Sequence, residues 1–111
     1  MTNKITEPEL DVIFAALGNL KRLGMIYSLS LQPATVRKLA DDHKLTLPAI
    51  HKHVRILETA KLIQRKKVGR TNFVAINRSS LKAAQSWLQQ FRTDWGNDSE
   101  SLENYIARMR E

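Results

Sequence analysis

Ten basic side chains lie between Lys44 and Lys82, and Glu58 is the sole acid among them. They are Lys44, Lys52, Arg55, Lys61, Arg65, Lys66, Lys67, Arg70, Arg78 and Lys82, for a local charge of +9 within a chain of net charge +7. From Asp94 onward the balance reverses, with five acids against Arg108 and Arg110. Cations concentrated in this way do the chemistry of phosphate neutralisation and polyanion steering. Read as solvated charges alone, they would have no reason to cluster beside an acidic end. Pro48, His51, Lys52 and Arg55 are spaced i, i+3, i+4 and i+7, which places them on one stripe of a helix. Covalent and metal chemistry lack residues. Cysteine is absent, which excludes disulfides, thiolate metal sites and cysteine nucleophiles. His43, His51 and His53 are the three histidines, and His51 and His53, two apart on a helix, point away from each other. No metal or cofactor is expected. A Ser/His/Asp set, a Gly-rich phosphate loop and a paired-carboxylate motif are all missing, and Asp41-Asp42 reads as a solvated helix end. The chain reads as a binding protein and not an enzyme.

The elements that must position the basic stripe can be followed along the chain. A sequence of 111 residues forms one domain, here taken as 1–111, and at that size dimerisation is a natural source of additional buried area. Thr6, Pro8 and Glu9 make a capping-box start, and Leu10, Ile13, Phe14 and Leu17 follow at helical spacing. Gly18-Asn19 breaks this helix and Asn19 caps the next, whose apolar face is expected to be Leu20, Leu23, Ile26 and Tyr27 up to Gln32-Pro33. These two helices occupy 9–30. A helix-turn-helix follows over 35–60. Thr35 caps a short helix with Val36, Leu39 and Ala40 inward, Lys44-Leu45 makes a tight connection, and Thr46 caps the helix 46–60 with Pro48 in its first turn. Ile50, Val54 and Leu57 must face the core, opposite the basic stripe. The period then changes. Leu62–Lys67 and Thr71–Ile76 read as a two-stranded hairpin, or wing, over 62–76 around Val68-Gly69-Arg70. Helical spacing returns over 79–110: Leu81, Ala84, Trp87, Leu88, Phe91 and Trp95 form one stripe, Gly96-Asn97-Asp98 interrupts it, and Leu102, Tyr105, Ile106 and Met109 resume it. The fold class is therefore mainly α with a small β-hairpin. No apolar run approaches the roughly 20 residues of a bilayer span, and Met1–Pro8 lacks the apolar stretch of a signal peptide. The expectation is a cytoplasmic protein with no membrane partner.

Two short helices joined by a tight turn, followed by a basic hairpin, suit duplex DNA, whose major groove admits one α-helix. The stretches Pro33–Ala40, Pro48–Glu58 and Leu62–Arg70 together closely resemble the ArsR/SmtB winged-helix repressors. The ending Trp87-Leu88-Gln89-Gln90-Phe91-Arg92 with Trp95, Leu102 and Tyr105 is similar to a branch often associated with START-like domain proteins. The resemblance covers roughly residues 9–108. It implies a homodimer formed by the first and last helices that binds a palindromic operator on double-stranded DNA as a repressor. It implies that Thr46, Leu47, Pro48, His51 and Lys52 lie at or near base edges and that His53 and Arg55 sit nearer the backbone. Lys66, Lys67 and Arg70 belong to the wing, and Thr35 is counted with the DNA-facing set. Where the family commonly has Asp-Pro-Thr-Arg, this chain has Asn19-Leu20-Lys21-Arg22. Lys44 stands in place of the usual turn Gly, Leu47 in place of a common Gln, and His51 in place of the usual Ser. Leu47 can pack on a thymine methyl but cannot bond adenine in bidentate fashion. The family's metal sites use cysteine clusters or Asp/His and His/Glu pairs on the final helix. Here no histidine occurs from Ser79 onward.

Leu10, Phe14, Leu17, Trp87, Leu88, Phe91, Trp95, Leu102 and Tyr105 are expected to form the dimer core. The alternative reading of the aromatic residues is a pocket for an apolar small-molecule effector between subunits. Two other functions remain to be weighed against an operator-binding repressor. A winged-helix protein-interaction module would favour an acidic or apolar stripe in place of His51, Lys52 and Arg55. A non-specific architectural DNA-binding protein would barely distinguish operator from random duplex.

Overall fold

The computed structural model describes residues 6–91 and 101–110. In chain order the elements are α1 (Glu7–Leu17), α2 (Leu20–Leu31), β1 (Ala34–Thr35), α3 (Val36–Asp42), α4 (Leu47–Thr59), β2 (Ile63–Val68), β3 (Thr71–Ile76), α5 (Arg78–Gln89) and α6 (Leu102–Met109). The helix starts follow side-chain capping. The Thr6 hydroxyl accepts from the Glu9 amide and the Glu9 carboxylate from the Thr6 amide, each at 3.3 Å, so two first-turn donors that have no partner within the helix are satisfied together. Asn19 Oδ1 accepts from the Arg22 amide at 3.1 Å and starts α2. Among the described residues no single helix is long and apolar enough to cross a membrane; α1 and α2 reach that length only as a pair bent by 96°.

The core forms where these helices meet a small sheet. Ile13 of α1, Met25 and Leu29 of α2, Val36 and Leu39 of α3, Ile50, Val54 and Leu57 of α4, Leu62, Ile63, Val74 and Ala84 are all buried in one cluster. The α2 face differs from the expected one. Leu20, Leu23 and Tyr27 are 84%, 50% and 69% exposed, and Met25 and Leu29 take the core with half-buried Ile26 beside them. The physical reason is Arg22. Its Nε donates to the Ala16 carbonyl at 2.6 Å and its Nη1 lies 3.1 Å from His53 Nδ1. Turning Arg22 inward turns residues three, four and seven positions further along with it.

The sheet has three strands in the order β1-β3-β2, all antiparallel. Only a hairpin was expected. β1 is two residues long, with Ala34 opposite Val74 and Thr35 opposite Phe73, too short to show any alternation. β2 runs one residue past the expected Lys67, and Val68 pairs with Thr71 across a two-residue turn. Gly69 enters that turn at φ +62°, a conformation glycine adopts without a Cβ clash.

α5 packs on α1 and buries Ser80 and Ala84, while Leu88 and Phe91 of the expected stripe remain exposed. It ends at Gln89, before the expected break at Gly96-Asn97-Asp98, which lies with Trp95 outside the described residues. Ser101 Oγ accepts from the Asn104 amide at 3.2 Å and starts α6, on which Leu102, Ile106 and Met109 are exposed.

Lys44, in the α3–α4 connection, has φ +55°. A side chain in the left-handed region costs roughly 1–2 kcal/mol. Lys44→Gly should therefore raise unfolding free energy by about 0.5–1 kcal/mol after glycine's greater entropy loss, and Lys44→Val should lower it. Urea denaturation of the three proteins provides the check.

Candidate nucleic-acid interface

The α3–α4 pair is held by capping at both starts and by one tight turn. Thr35 Oγ1 accepts from the Lys38 amide at 3.0 Å, and Thr46 Oγ1 from the Ala49 amide at 3.3 Å. Between the helices the Leu45 amide reaches the Ala40 carbonyl at 2.9 Å and the Lys44 amide the Asp41 carbonyl at 3.3 Å. Three buried side chains set the rotation of α4. Ile50, Val54 and Leu57 are all 0% exposed, so Pro48, His51, Lys52 and Arg55 are turned outward. Leu47, 45% exposed, sits at the leading end of the same face.

The wing is brought against this face. A groove of about 390 Å³ is lined by Thr35, Val36 and Arg37 from the start of α3, Leu47 and His51 from α4, and Arg70, Thr71 and Asn72 from the wing. It joins four residues expected at the interface from the sequence (Thr35, Leu47, His51, Arg70) to the core residue Val36 and to Arg37, Thr71 and Asn72. Spacing alone does not place the last three there, since Arg37 lies on the positioning helix and Thr71 and Asn72 carry no charge. Lys67 is the cross-strand partner of Asn72 and Lys66 that of Phe73. Successive strand residues alternate faces, so Lys67 shares a face of the wing with Asn72, and Lys66 shares the other with Phe73.

The charges of this region are not all free. Arg65 Nη2 lies 3.1 Å from Glu58 Oε1, tying β2 to α4, and Lys38 pairs with Asp42 at 3.1 Å. Among the described residues Lys52, Arg55, Lys66, Lys67 and Arg70 make no ion pair. The acid that interrupts the basic run is thus used internally, and these five cations, with Arg37 of the groove wall, remain on the wing, around the groove and along the exposed face of α4. Chemically, the arrangement offers a helix of major-groove width with donors and one apolar side chain on its outer face, flanked by phosphate-neutralising side chains.

His53 does not join the exposed stripe. It is half-buried, with Nδ1 against the Arg22 guanidinium. Burial, then the charges of Arg22, Lys52 and Lys21, hold its pKa below the ordinary 6.5. His43 also has a structural place, with Nε2 3.0 Å from Ser28 Oγ and its carbonyl accepting from Lys21 Nζ at 2.9 Å. Among the described residues no group of three or more His, Cys, Asp or Glu side chains is placed to hold a metal ion.

The residues expected at a dimer interface fall into three groups. Leu10 is buried in the chain's own interior. Phe14, Leu17, Trp87 and Tyr105 are half-buried, with the Phe14 and Trp87 ring centroids 5.4 Å apart and Trp87 and Phe91 4.5 Å apart. Leu88, Phe91 and Leu102 are exposed.

Residues 19–65, from the α2 cap into β2, match the family model described as bacterial regulatory protein, arsR family. The chain is 33% identical to an ArsR family transcriptional regulator, RHA00566, whose crystal structure aligns with a TM-score of 0.73 over 79% of this chain and 91% of that one. The HTH-type transcriptional regulator Rv2034 of Mycobacterium tuberculosis is 28% identical over 83 residues, which is 75% of this chain and 78% of that protein. In fold alone, the chain is similar to the homodimeric winged helix-turn-helix DNA-binding domain Mb0332 of Mycobacterium bovis, seen by solution NMR. That domain is 16% identical, with a TM-score of 0.65 over 75% of this chain and 79% of that one.

The Arg22–His53 contact has a pH signature. An Arg donor requires Nδ1 as acceptor, hence a neutral ring. Because the folded-state pKa is lowered, this contribution to stability is present above the unfolded value of 6.5 and is lost as pH falls through the lower folded value. The urea midpoint should therefore drop between neutral pH and pH values below 6.5. His53→Gln, whose amide oxygen can accept from Arg22 without titrating, should flatten that part of the profile.

Proposed function

This chain belongs to the ArsR family of bacterial regulatory proteins, and on that premise we propose that it is a homodimeric repressor of transcription that binds a palindromic operator. Its work is cytoplasmic and regulatory, with no catalytic step. The observation that carries this reading is the groove in which the leading end of α4 and the wing face the same space, with Thr35, Leu47, His51 and Arg70 among its walls. α4 enters the major groove. Leu47, Pro48, His51 and Lys52 lie at base edges with Thr46 behind them, and Arg55 lies toward the backbone. Lys66, Lys67 and Arg70 contact phosphates or the minor-groove flank. Arg37 and Asn72 join the contact set because they line the same groove.

Dimerisation uses α1, α5 and α6. The exposed Leu88, Phe91 and Leu102 together with the Phe14–Trp87–Phe91 ring cluster supply an apolar surface, and the Mb0332 domain of the same fold is a homodimer. A two-fold dimer presents two α4 helices, so its site consists of two inverted half-sites about one helical turn apart.

Selection of duplexes from a random pool, followed by titration of variants, tests the proposal. The selected sequences should carry an inverted repeat. Lys67→Ala should weaken the selected and the random duplex alike and reduce the log–log salt slope by about one unit. Replacing His51 or Lys52 should cost about 1–3 kcal/mol on the selected duplex and less on random DNA. Leu47→Gln should change preference at one base pair of each half-site. Equal losses on every sequence would mean an architectural DNA-binding protein, and a folded chain that binds no duplex would mean a protein-interaction module.

A further inference from the structure

Away from the basic face, a cavity of about 260 Å³ opens between α1, the end of α4 and the start of α5. Its walls are Glu9, Val12 and Ile13 from α1, Thr59, Ala60 and Lys61 from the last turn of α4, and Ser80 from α5. The floor is apolar, made by Ile13 and Ala60, which are buried, with Val12 at the side. Ser80 is 6% exposed and is the buried polar residue of the described chain. Its neighbour Ser79 is bonded through both backbone and side chain to Asn77 Oδ1, whereas the Ser80 hydroxyl has no hydrogen bond among the described residues. No side-chain nitrogen or oxygen sealed within the described structure lacks a partner. The Ser80 hydroxyl therefore opens onto a space, and this cavity is the space that it lines.

The charges at the mouth choose the kind of molecule that fits. Lys61 makes no ion pair among the described residues. Ser80 lies in the first turn of the twelve-residue α5, where the helix dipole favours negative charge. The Glu9 carboxylate, the acid of the lining, is held by the Thr6 amide at 3.3 Å at the start of α1. Cavities for drug-sized ligands run to roughly 300–1,000 Å³, so this one takes a smaller molecule with a mainly apolar body.

We infer that the α1–α4–α5 cavity is a binding site for a small apolar carboxylate. Its carboxylate accepts from the Ser80 hydroxyl and pairs with Lys61, and its hydrocarbon part covers Val12, Ile13 and Ala60. The site is separate from the groove between α4 and the wing, and it stands or falls without reference to DNA binding.

Octanoate is a suitable probe, with octylamine as the cationic counterpart of equal length. Calorimetric titration of the full chain should give saturable octanoate binding with a Kd near or below about 1 mM and no comparable binding of octylamine. Lys61→Gln and Ser80→Ala should each weaken octanoate by about tenfold, as loss of a charge-assisted contact implies. Circular dichroism should show both variants folded, as expected for a mouth position and for removal of one hydroxyl. Tyr27→Leu, at an exposed aromatic position on α2 away from the cavity, should leave the affinity unchanged. Absence of saturable octanoate binding to the unaltered chain would overturn the assignment. So would equal binding of octylamine, or octanoate binding that survives both Lys61→Gln and Ser80→Ala.

Discussion

The rotation of α4 about its own axis is the constraint on which the candidate interface rests. Ile50, Val54 and Leu57 are wholly buried, and full burial of such side chains contributes about 1.5–3 kcal/mol each relative to exposure. Advancing the helix by one residue position, about 100°, would expose this stripe and bury charge. The same burial that makes the core therefore decides that His51, Lys52 and Arg55 face outward. A second restraint acts from the side. Arg22 reaches from the start of α2 to the Ala16 carbonyl at the end of α1 and to His53 on α4. A cation is favourable at that helix C-terminus, where carbonyls lack helical partners. One guanidinium thus links three helices beneath the basic face and, together with the burial of His53, holds the pKa of that histidine below its ordinary value.

The wing is positioned by different means. β3 is the central strand, paired to β1 on one side and β2 on the other, so the hairpin is anchored to the residues that open α3. Thr35 takes part in both: it pairs with Phe73 in the sheet and caps α3 through its hydroxyl. The Glu58–Arg65 pair adds a link from α4 to β2. At an exposed position such a pair contributes little to stability. Its larger effect is electrostatic, since it removes the sole acid of the basic run and leaves Lys52, Arg55, Lys67 and Arg70 to set the sign of the field around the groove. On the proposed docking, a duplex meets a surface whose shape is made by burial and whose charge is made by what burial leaves unpaired.

Much of this could be read from residue types and spacing because the deciding interactions are local. Thr6, Asn19, Thr35 and Thr46 start helices through contacts three residues away, and Ile50, Val54 and Leu57 lie at a helical period. Gly69 in a turn between β-branched runs marks the wing. What the sequence concealed depended on partners far along the chain. Two apolar stripes of α2 compete, and the choice of Met25 and Leu29 over Leu20, Leu23 and Tyr27 follows from Arg22 finding α1 and α4. β1 is formed by pairing with residues some forty positions away and has no period of its own. His53 shares residue type and helix with His51, but its surroundings are set by Arg22. Arg37, Thr71 and Asn72 come to the groove only through the tertiary arrangement. Membership of the ArsR family agrees with the stretches that carry the resemblance, whereas Lys44, Leu47 and His51 are departures within the helix-turn-helix itself.

On the proposed function, one face built by α3, α4 and the wing meets the duplex. Backbone amide resonances of the chain, followed as a selected duplex is added, report which face that is. Saturable shifts are expected at residues 35–37, 46–55 and 66–72, with the flank around Ala16 and Arg22 little changed. Shifts centred instead on α1 and α5, with the wing and the outer face of α4 silent, would mean that another face binds DNA.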